Sequence, residues 1–442
     1  MESNNKILYS ILSLLLIFAI IISLLGFYRD FKNTFEYGGI DFRANSVATK
    51  LLIEGEDPYH FKWSQNKSDT LLDPHDYPNR PISRVTSLPT VFLIYMPISN
   101  LPYIVQRVIW FIFQWVLLLL SIILFSKSSN SKVKSKIIWI IGLLLISGTP
   151  FWRLHVERGQ AYIIYVFLIS FAYWLSFKTF KYIHILSGFF IGLTASYKPT
   201  VLFMIMPMII YRKWKFFIGT VIGIFSGIAS SFIIADISIW EKYISAIQFY
   251  GNNPDTFRID WGNTYREVYP NQIIEGWKNI SSALFIPTTD SSIQGIFFKF
   301  LKVKLYPNVL IISLFLTLLF ISIILYRFYI KNLSTSMLFL IGIVIVFISE
   351  FFQPAERFTY YDVIWFIPLS LIVINSEPLI SLLNPLVILL LIGLFFSISI
   401  PFVPGGMLIS DYAILIYVIV ATSFLLKKRW QSENGILLGN KH

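Results

Sequence analysis

The sequence predicts an all-α polytopic membrane protein. Of its 442 residues, 56% are hydrophobic, and the mean hydropathy is +0.68. A soluble protein of this size could not cover so much apolar surface. Apolar runs of about 20 residues, the length that a helix needs to span a bilayer, recur from end to end. Aromatic residues make up 17% of the chain, which suits a protein with rings at two membrane interfaces.

The net charge of +12 does not point to a nucleic-acid partner. The lysines and arginines stand in short clusters beside apolar runs, so membrane topology and contact with anionic membrane lipids explain them more simply. The chain has no cysteine, which excludes disulfides, thiol nucleophiles and cysteine-based metal sites.

We predict about 12 membrane-spanning helices from the apolar runs. The first follows Lys6 without a small-residue cleavage site after it, so we interpret it as an uncleaved span. The predicted spans are 7–28, 104–126, 137–152, 160–177, 183–197, 199–211, 215–235, 307–326, 335–352, 360–375, 379–400 and 411–426.

The distribution of basic residues predicts the topology. All the basic clusters can be cytoplasmic only if 182–211 crosses the membrane twice, as two short helices with a turn at Lys198-Pro199. Proline breaks the helix there because it lacks an N–H and disfavours helix at the preceding residue. With both termini cytoplasmic, residues 86–101 then lie as a helix on the outer membrane surface. The clusters are Lys127/Lys132/Lys134/Lys136, Lys178/Lys181, Arg212/Lys213/Lys215, Arg327/Lys331 and Lys427/Lys428/Arg429.

This topology gives one membrane domain, residues 1–442, with two long exterior loops. We call residues 29–100, which include the juxtamembrane helix at 86–101, the first loop, and residues 236–306 the second loop. Long loops are usually either functional or disordered, and the aromatic content of these two predicts order.

Charged and polar residues within or beside membrane spans cost free energy and are usually functional. In this chain they collect on the predicted exterior side. Together they resemble a site for a lipid-linked phosphate, with arginine and lysine holding the phosphate and a carboxylate free to remove a proton. Anion transport would need similar cations. The candidates are Asp41, Arg43, Asp57, Tyr59, His155, Glu157, Arg158, Gln160, Lys198, Arg357, Tyr361 and Asp362.

Several of these residues also have purely structural interpretations. Asp41 could be an ordinary helix-end carboxylate, and Arg158 could be an interfacial anchor. Arg357 could form an ion pair with its neighbour Glu356. Lys198 is harder to dismiss, because a lysine between two short apolar helices must find water or an anion.

The absence of several sequence motifs disfavours some classes of enzyme. The chain has no Asp-x-Asp pair for a metal-bound nucleotide sugar and no glycine-rich Lys-Ser/Thr loop for ATP. It also lacks His-Glu-x-x-His and Gly-x-Ser-x-Gly, which disfavours a zinc protease or an α/β hydrolase. We therefore expect neither a metal nor another cofactor.

Four motifs in their order along the chain resemble glycosyltransferase family 87, the bacterial α-mannosyltransferases of the GT-C fold that use polyprenyl-phosphate mannose. The motifs are Asp41-Phe42, Gly55-x-Asp57-Pro58-Tyr59, Glu157-Arg158-Gly159-Gln160, and Gly188-x-x-x-Gly192-Leu193 running to Lys198-Pro199.

The resemblance implies a GT-C fold in the bacterial plasma membrane, with the active site on the exterior side. It implies that Asp41 is the general base and that Arg158 and Lys198, with Arg357, contact the donor phosphate. The late Trp-Glu-His-like signature appears here as Arg357-Phe358-Thr359-Tyr360-Tyr361-Asp362, without the expected histidine. The remaining substrate-binding candidates are Arg43, Asp57, Tyr59, His155, Glu157, Gln160, Tyr361 and Asp362.

The predicted function is the transfer of a sugar, mannose by resemblance, from a polyprenyl-phosphate donor to a hydroxyl of a cell-envelope glycan or glycolipid, by a single inverting displacement. Two alternatives remain open at this point. One is a flippase or transporter of lipid-linked saccharides, which would need polar groups along a path across the bilayer. The other is an O-antigen-type polymerase or ligase, which the large second loop would suit.

Overall fold

Every regular element is helical in the residues that the computed structural model describes, which are 2–76, 80–252, 290–327, 333–353, 357–376, 385–399 and 406–433. The α-helices within these ranges are α1 (Glu2–Glu36), α2 (Ile40–Ile53), α3 (Phe92–Tyr95), α4 (Tyr103–Lys127), α5 (Lys132–Ile140), α6 (Pro150–Arg158), α7 (Tyr162–Leu175), α8 (Ile183–Tyr197), α9 (Ile205–Ile210), α10 (Trp214–Ser230), α11 (Ser238–Asn252), α12 (Ile293–Ile296), α13 (Pro307–Arg327), α14 (Thr335–Phe351), α15 (Phe366–Asn375), α16 (Pro385–Ser399) and α17 (Gly406–Glu433).

Shorter helical turns extend or connect several of these helices. The 3₁₀ turns are Asp69–Leu71, Pro89–Val91, Met96–Ile98, Pro199–Met204, Ser231–Ile233 and Thr359–Trp365, and the π-helical turns are Ile141–Ile146 and Phe297–Leu301.

Five helices in the described ranges are long and apolar enough to cross a membrane, and a sixth span results if one bent pair of helices counts as one. That pair is Lys132–Ile146 with Pro150–Arg158, which meet at 67°. The prediction of about 12 spans is not confirmed, because most of the remaining predicted spans are apolar helices of 10–17 residues. A helix of 14 residues such as α7 is about 21 Å long, less than the roughly 30 Å of a bilayer core. The five long helices are Ile7–Glu36, Tyr103–Lys127, Trp214–Ile233, Pro307–Arg327 and Leu408–Glu433.

The predicted break at Lys198-Pro199 is confirmed. Helix α8 ends at Tyr197, Lys198 has an extended backbone (φ −137°, ψ 94°), and a 3₁₀ turn begins at Pro199. Helix α1 continues to Glu36, eight residues beyond the predicted end of the first span at residue 28, so the first eight residues of the first loop are helical.

Helices α8 and α10 approach so closely that glycines line the contact. A Cβ atom on Gly192 would lie 2.0 Å from the Thr220 carbonyl oxygen, and one on Gly223 would lie 2.1 Å from the Phe189 carbonyl oxygen. Small residues spaced four apart allow such backbone contact between membrane helices. The glycine motif of the sequence is therefore a packing surface that holds the helix ending at Lys198.

The two loops pack on one another. Tyr250 of α11, in the second loop, donates a hydrogen bond to the Ser83 carbonyl oxygen of the first loop. The rings of Tyr59 and Tyr243 lie 5.6 Å apart at the same contact. The short helix over Pro89–Ile98 occupies the middle of the predicted juxtamembrane helix. Residues 253–289 of the second loop lie outside the described residues.

We expect Gly192→Ala to destabilise the protein by about 1–3 kcal/mol, because the added methyl group meets backbone atoms that cannot move without separating α8 from α10. The measurement is the thermal unfolding temperature of the purified protein in detergent.

Gly26→Ala is the matched control. Gly26 also lies within a long helix, but a Cβ atom added there would meet its nearest neighbour at an ordinary 3.4 Å. Equal unfolding temperatures for the two variants would contradict the close-packed interface.

Candidate functional site

The sharp turn between α1 and α2 positions Asp41. Gly39 has a left-handed backbone (φ 65°), and a Cβ atom there would lie 2.4 Å from the Arg107 guanidinium carbon. Only glycine fits both the dihedral angle and the space. Asp41 then lies in the first turn of α2, where the helix dipole favours a negative charge.

The end of α6 brings two partners to this carboxylate. Arg158 donates from Nε to Asp41 Oδ2 over 2.5 Å and from Nη2 to Oδ1 over 3.0 Å, which is a two-point contact. Gln160 donates to Oδ2 as well. Gly159 between them is left-handed (φ 72°) and ends the helix, so both neighbouring side chains reach Asp41.

A second arginine comes from the first loop. Arg84 Nη2 donates to Asp41 Oδ1 over 2.7 Å. We call Asp41, Arg84, Arg158 and Gln160 the carboxylate cluster. Its charged side chains are largely covered, with exposed fractions of 19% for Asp41, 14% for Arg84 and 10% for Arg158.

The cluster sets the protonation state of Asp41. Burial raises the pKa of its carboxyl, but the positive charges of Arg158 and Arg84 outweigh burial and hold the pKa below its ordinary value of 3.8. The carboxylate is therefore ionised at neutral pH, and its proton affinity is low while both arginines contact it.

A layer of tyrosine rings separates the carboxylate cluster from Lys198. The Arg158 guanidinium lies 5.3 Å from the Tyr360 ring centre, and the Tyr360 and Tyr361 rings lie 5.2 Å apart. Lys198 Nζ lies over the rings of Tyr162 and Tyr361, at 4.8 Å and 5.1 Å. Cations over aromatic faces gain favourable electrostatic energy. Lys198 and Arg158 thus lie on one continuous aromatic surface.

Lys198 and Arg357 both have carboxylate partners within the described residues. Lys198 Nζ lies 2.7 Å from Glu350 Oε1. Arg357 donates from Nη2 to Asp362 over 2.9 Å and from Nη1 to Asp411 of α17. The guanidinium of Arg357 is buried and paired with two carboxylates, which fits a role in holding helices together. Glu356, the partner considered from the sequence, lies outside the described residues.

Three candidates of the first loop hold the loop in shape. Arg43 donates to the carbonyl oxygens of Leu72 and Asp69. Asp57 accepts from the Tyr59 N–H over 2.9 Å, which closes a turn. Tyr59 is fully buried and donates to a carbonyl oxygen over 2.7 Å.

Two candidates on α6 have structural surroundings. His155 is fully buried, stacks on Trp152 with ring centres 5.4 Å apart, and accepts a hydrogen bond from the Ile163 N–H. Glu157 is buried and interacts electrostatically with Arg153 on the side of the helix that faces α1. Glu157 also interacts electrostatically with Arg158 of the carboxylate cluster.

The sequence interpretation missed Arg84. It is a cation in the first loop, so it met the same criterion as Arg158, but no motif surrounds it. Arg84 pairs with Asp41 only because the folded loop returns over α2, and this contact cannot be predicted from the local sequence. The described residues include no group of three or more His, Asp or Glu that could hold a metal ion.

These observations define a helical membrane protein with a covered, arginine-rich site at one end of its helices. The model of glycosyltransferase family 87 matches residues 89–267, so the resemblance to this family is confirmed over that segment. The matched segment contains Arg158, Gln160 and Lys198, whereas Asp41 precedes it. A search of curated proteins and a search of solved structures found no match.

Gly159→Ala is expected to destabilise the protein and disturb the cluster. The alanine would have to adopt the left-handed backbone of Gly159, and its Cβ atom would lie 2.4 Å from the Phe42 Cβ atom. Gly55→Ala is the control, because Gly55 is also left-handed (φ 77°) but has open space around it. The left-handed backbone alone costs roughly 1–2 kcal/mol. Thermal unfolding should show a clearly larger loss for Gly159→Ala, and equal losses would contradict the packing of this corner.

The stabilising effect of the Asp41 carboxylate should depend on pH. Because the pKa is lower in the folded than in the unfolded protein, the effect is fully present above the unfolded value near 3.8 and is lost as the pH falls through the folded value. At neutral pH, Asp41→Asn should unfold at a lower temperature than the wild type, and the gap should narrow below pH 4. A gap that stays constant down to that range would show that the charge of Asp41 does not stabilise the fold.

Proposed function

We propose that this protein is an integral-membrane glycosyltransferase that moves a sugar from a polyprenyl-phosphate donor to a hydroxyl of a cell-envelope glycan or glycolipid. The family resemblance suggests mannose as the sugar. The observation that carries the proposal is the carboxylate cluster, in which one ionised carboxylate lies between two guanidinium groups.

The two arginines suit a phosphate. Guanidinium groups bind phosphate oxygens through paired N–H donors, and Arg158 already uses this geometry on Asp41. Two positive charges share one negative charge in the cluster. An anion entering beside Asp41 would therefore be attracted, and the tyrosine surface next to Arg158 offers apolar contact to the rest of the donor.

The mechanism is a single inverting displacement. The acceptor hydroxyl oxygen forms a bond to the anomeric carbon while the bond from that carbon to the phosphate oxygen breaks. Asp41 takes the hydroxyl proton, and the polyprenyl phosphate leaves as an anion stabilised by Arg158 and Arg84. Positioning and electrostatic stabilisation supply most of the acceleration.

Contact with the donor phosphate draws the arginines away from Asp41. As these hydrogen bonds are lost, the proton affinity of the carboxylate rises, which makes it a better base. Lys198 acts at longer range across the tyrosine surface, because Glu350 already pairs with it. We assign Arg357 to positioning rather than to phosphate contact, because two carboxylates occupy its guanidinium.

The site would face the exterior of a bacterial plasma membrane, with both termini in the cytoplasm. This placement follows from the basic clusters between apolar segments. The donor lipid could then enter the site sideways from the bilayer.

Asp41→Asn should lower turnover by about 10²–10⁴-fold, the usual effect of losing a general base. Binding of the donor should not weaken, because the arginines lose the carboxylate that competes with the phosphate. The assay supplies purified protein with radiolabelled polyprenyl-phosphate mannose and a membrane extract, and it measures donor binding separately.

Arg84→Gln is the contrasting variant. It keeps Asp41 and a neutral hydrogen-bond donor but removes one charge, so donor binding should weaken. Full turnover in Asp41→Asn would refute the base assignment. Movement of labelled lipid between vesicle leaflets without sugar transfer would favour the flippase instead.

A further inference from the structure

An exposed segment of mixed apolar and basic side chains, residues 297–304, lies near the end of the second loop and has no role so far. Its sequence is Phe-Phe-Lys-Phe-Leu-Lys-Val-Lys, and every one of these residues is exposed. The exposed fraction reaches 61% at Phe300 and 62% at Leu301. A contiguous apolar patch of this kind marks a surface that contacts a membrane or another molecule.

The apolar surface continues directly into a helix that is suited to face lipid. Helix α13 begins at Pro307, shortly after the segment, and it is one of the helices long and apolar enough to cross a membrane. Its large apolar side chains point outward, with exposed fractions of 59% for Ile312 and 63% for both Phe315 and Phe320. The segment therefore stands where this span reaches the membrane surface, at the level at which aromatic rings anchor membrane proteins.

Three lysines alternate with the apolar residues, and the segment contains no acid. No acidic residue occurs from Ser291 to Ser349 either. Within the described ranges, neither Lys299 nor Lys302 has a carboxylate partner. Lysines beside a span are normally cytoplasmic, whereas the predicted topology puts these on the exterior side. Membrane orientation therefore does not explain them, but attraction to an anion at the membrane surface does.

The backbone of the segment forms a closed turn. The π-helical turn Phe297–Leu301 ends at Lys302, which has a left-handed backbone (φ 55°), a conformation that is uncommon outside glycine. The Lys302 N–H donates to the Phe298 carbonyl oxygen over 3.2 Å, and the Val303 N–H donates to the Phe297 carbonyl oxygen over 3.3 Å. These bonds fix the spacing between the lysines and the phenylalanines.

The residues just before the segment are hydrogen-bonded to the region of the candidate site. The Ser291 hydroxyl accepts from Arg357 Nη1 over 3.1 Å, and Asp290 accepts from the Arg357 N–H over 2.9 Å. Tyr412 of α17 donates to the Ser291 carbonyl oxygen over 3.0 Å. Arg357 stands four residues before Tyr361, which belongs to the tyrosine surface of the site. The segment is thus joined to the site through Arg357.

We propose that residues 297–304 form a lipid-binding surface in the headgroup layer of the bilayer. The phenylalanines enter the boundary of the acyl chains, and the lysines bind the phosphates of anionic lipids. The donor of the proposed function has the same chemistry, a phosphodiester on an apolar tail, so the segment also concentrates that donor near the site. This last step rests on the proposed function, whereas the lipid surface does not.

The first test measures how deeply the segment is immersed. The chain has no cysteine, so a single introduced cysteine can carry a spin label. The full chain is reconstituted in lipid nanodiscs, and EPR compares the access of oxygen, which concentrates in the bilayer, with that of a water-soluble nickel complex. We expect the label in Phe300→Cys to lie deeper than that in Lys67→Cys and less deep than that in Phe315→Cys.

The two reference positions are matched to Phe300 by exposure. Lys67 is exposed in the first loop, and Phe315 is exposed in the middle of α13. A label at position 300 that is as open to water as the label at position 67 would overturn the proposal. A label that is shielded from both reagents and broadened by a neighbouring copy would assign this surface to a contact between two chains, which would also overturn it.

The second test measures the effect of the lysines. The cysteine at position 300 carries a fluorophore, and energy transfer is recorded to trace phosphatidylglycerol or phosphatidylcholine labelled in an acyl chain. We expect phosphatidylglycerol to be enriched near the label. Lys302→Gln should lower that enrichment by up to about fivefold, the effect of one lysine near an anionic surface, and replacing all three lysines should abolish it.

Lys67→Gln is the matched control for the charge. Lys67 is also an exposed lysine over a phenylalanine ring, that of Phe61, but it belongs to the first loop. The enrichment should not change in this variant, and thermal unfolding confirms that each variant is folded. Equal enrichment of the two lipids, or enrichment that survives the loss of all three lysines, would overturn the proposal. Both tests use phospholipids and need no sugar transfer, so their outcome is independent of the turnover of Asp41→Asn.

Discussion

The fold around the site depends on one carboxylate that two arginines share. Arg84 and Arg158 lie 43 and 117 residues from Asp41, so the contact joins the first loop and the end of α6 to the start of α2. Removing one partner of a covered ion pair leaves an uncompensated charge, which is strongly destabilising. The same contact that could serve chemistry therefore also fixes the first loop over the membrane helices.

This contact requires two tight corners that only glycine can form. Gly39 precedes Asp41, Gly159 follows Arg158, and both are left-handed. A Cβ atom on either residue would come within about 3 Å of the buried Arg107 guanidinium. Arg107 in turn donates to the Glu157 carbonyl oxygen, so one arginine fills the space beneath both corners. The geometry of the cluster is thus fixed by packing beneath it as well as by the ion pairs.

The sequence predicted the parts of this structure that local rules control. The helical segments follow apolar runs, and Pro199 predicted the break that the backbone of Lys198 shows. The predicted topology and the family resemblance also placed Arg158 in the same site as Asp41. Pairings that arise only on folding could not be predicted in this way. Arg357 pairs with Asp411, 54 residues later, and no local pattern connects them.

Hydropathy has a similar limit when it is used to predict which of the shorter apolar helices span the membrane. A helix such as α14 is 17 residues long and almost wholly buried, and its end places Glu350 beside Lys198. Hydropathy alone predicts such a helix to be a span, because a buried core helix and a lipid-exposed helix have the same composition. In the structure, neighbouring elements cover almost all of α14.

The pairing of Asp41 with two arginines has a consequence for the order of binding in the proposed reaction. Before a donor binds, the carboxylate compensates the arginine charges, so the covered guanidinium groups of the cluster are paired. The same contact holds the pKa of Asp41 low, which keeps it a weak base. Only an anion that takes over the arginines can release the carboxylate. An acceptor bound alone would therefore meet an inactive base, and activation of Asp41 would follow arrival of the donor phosphate.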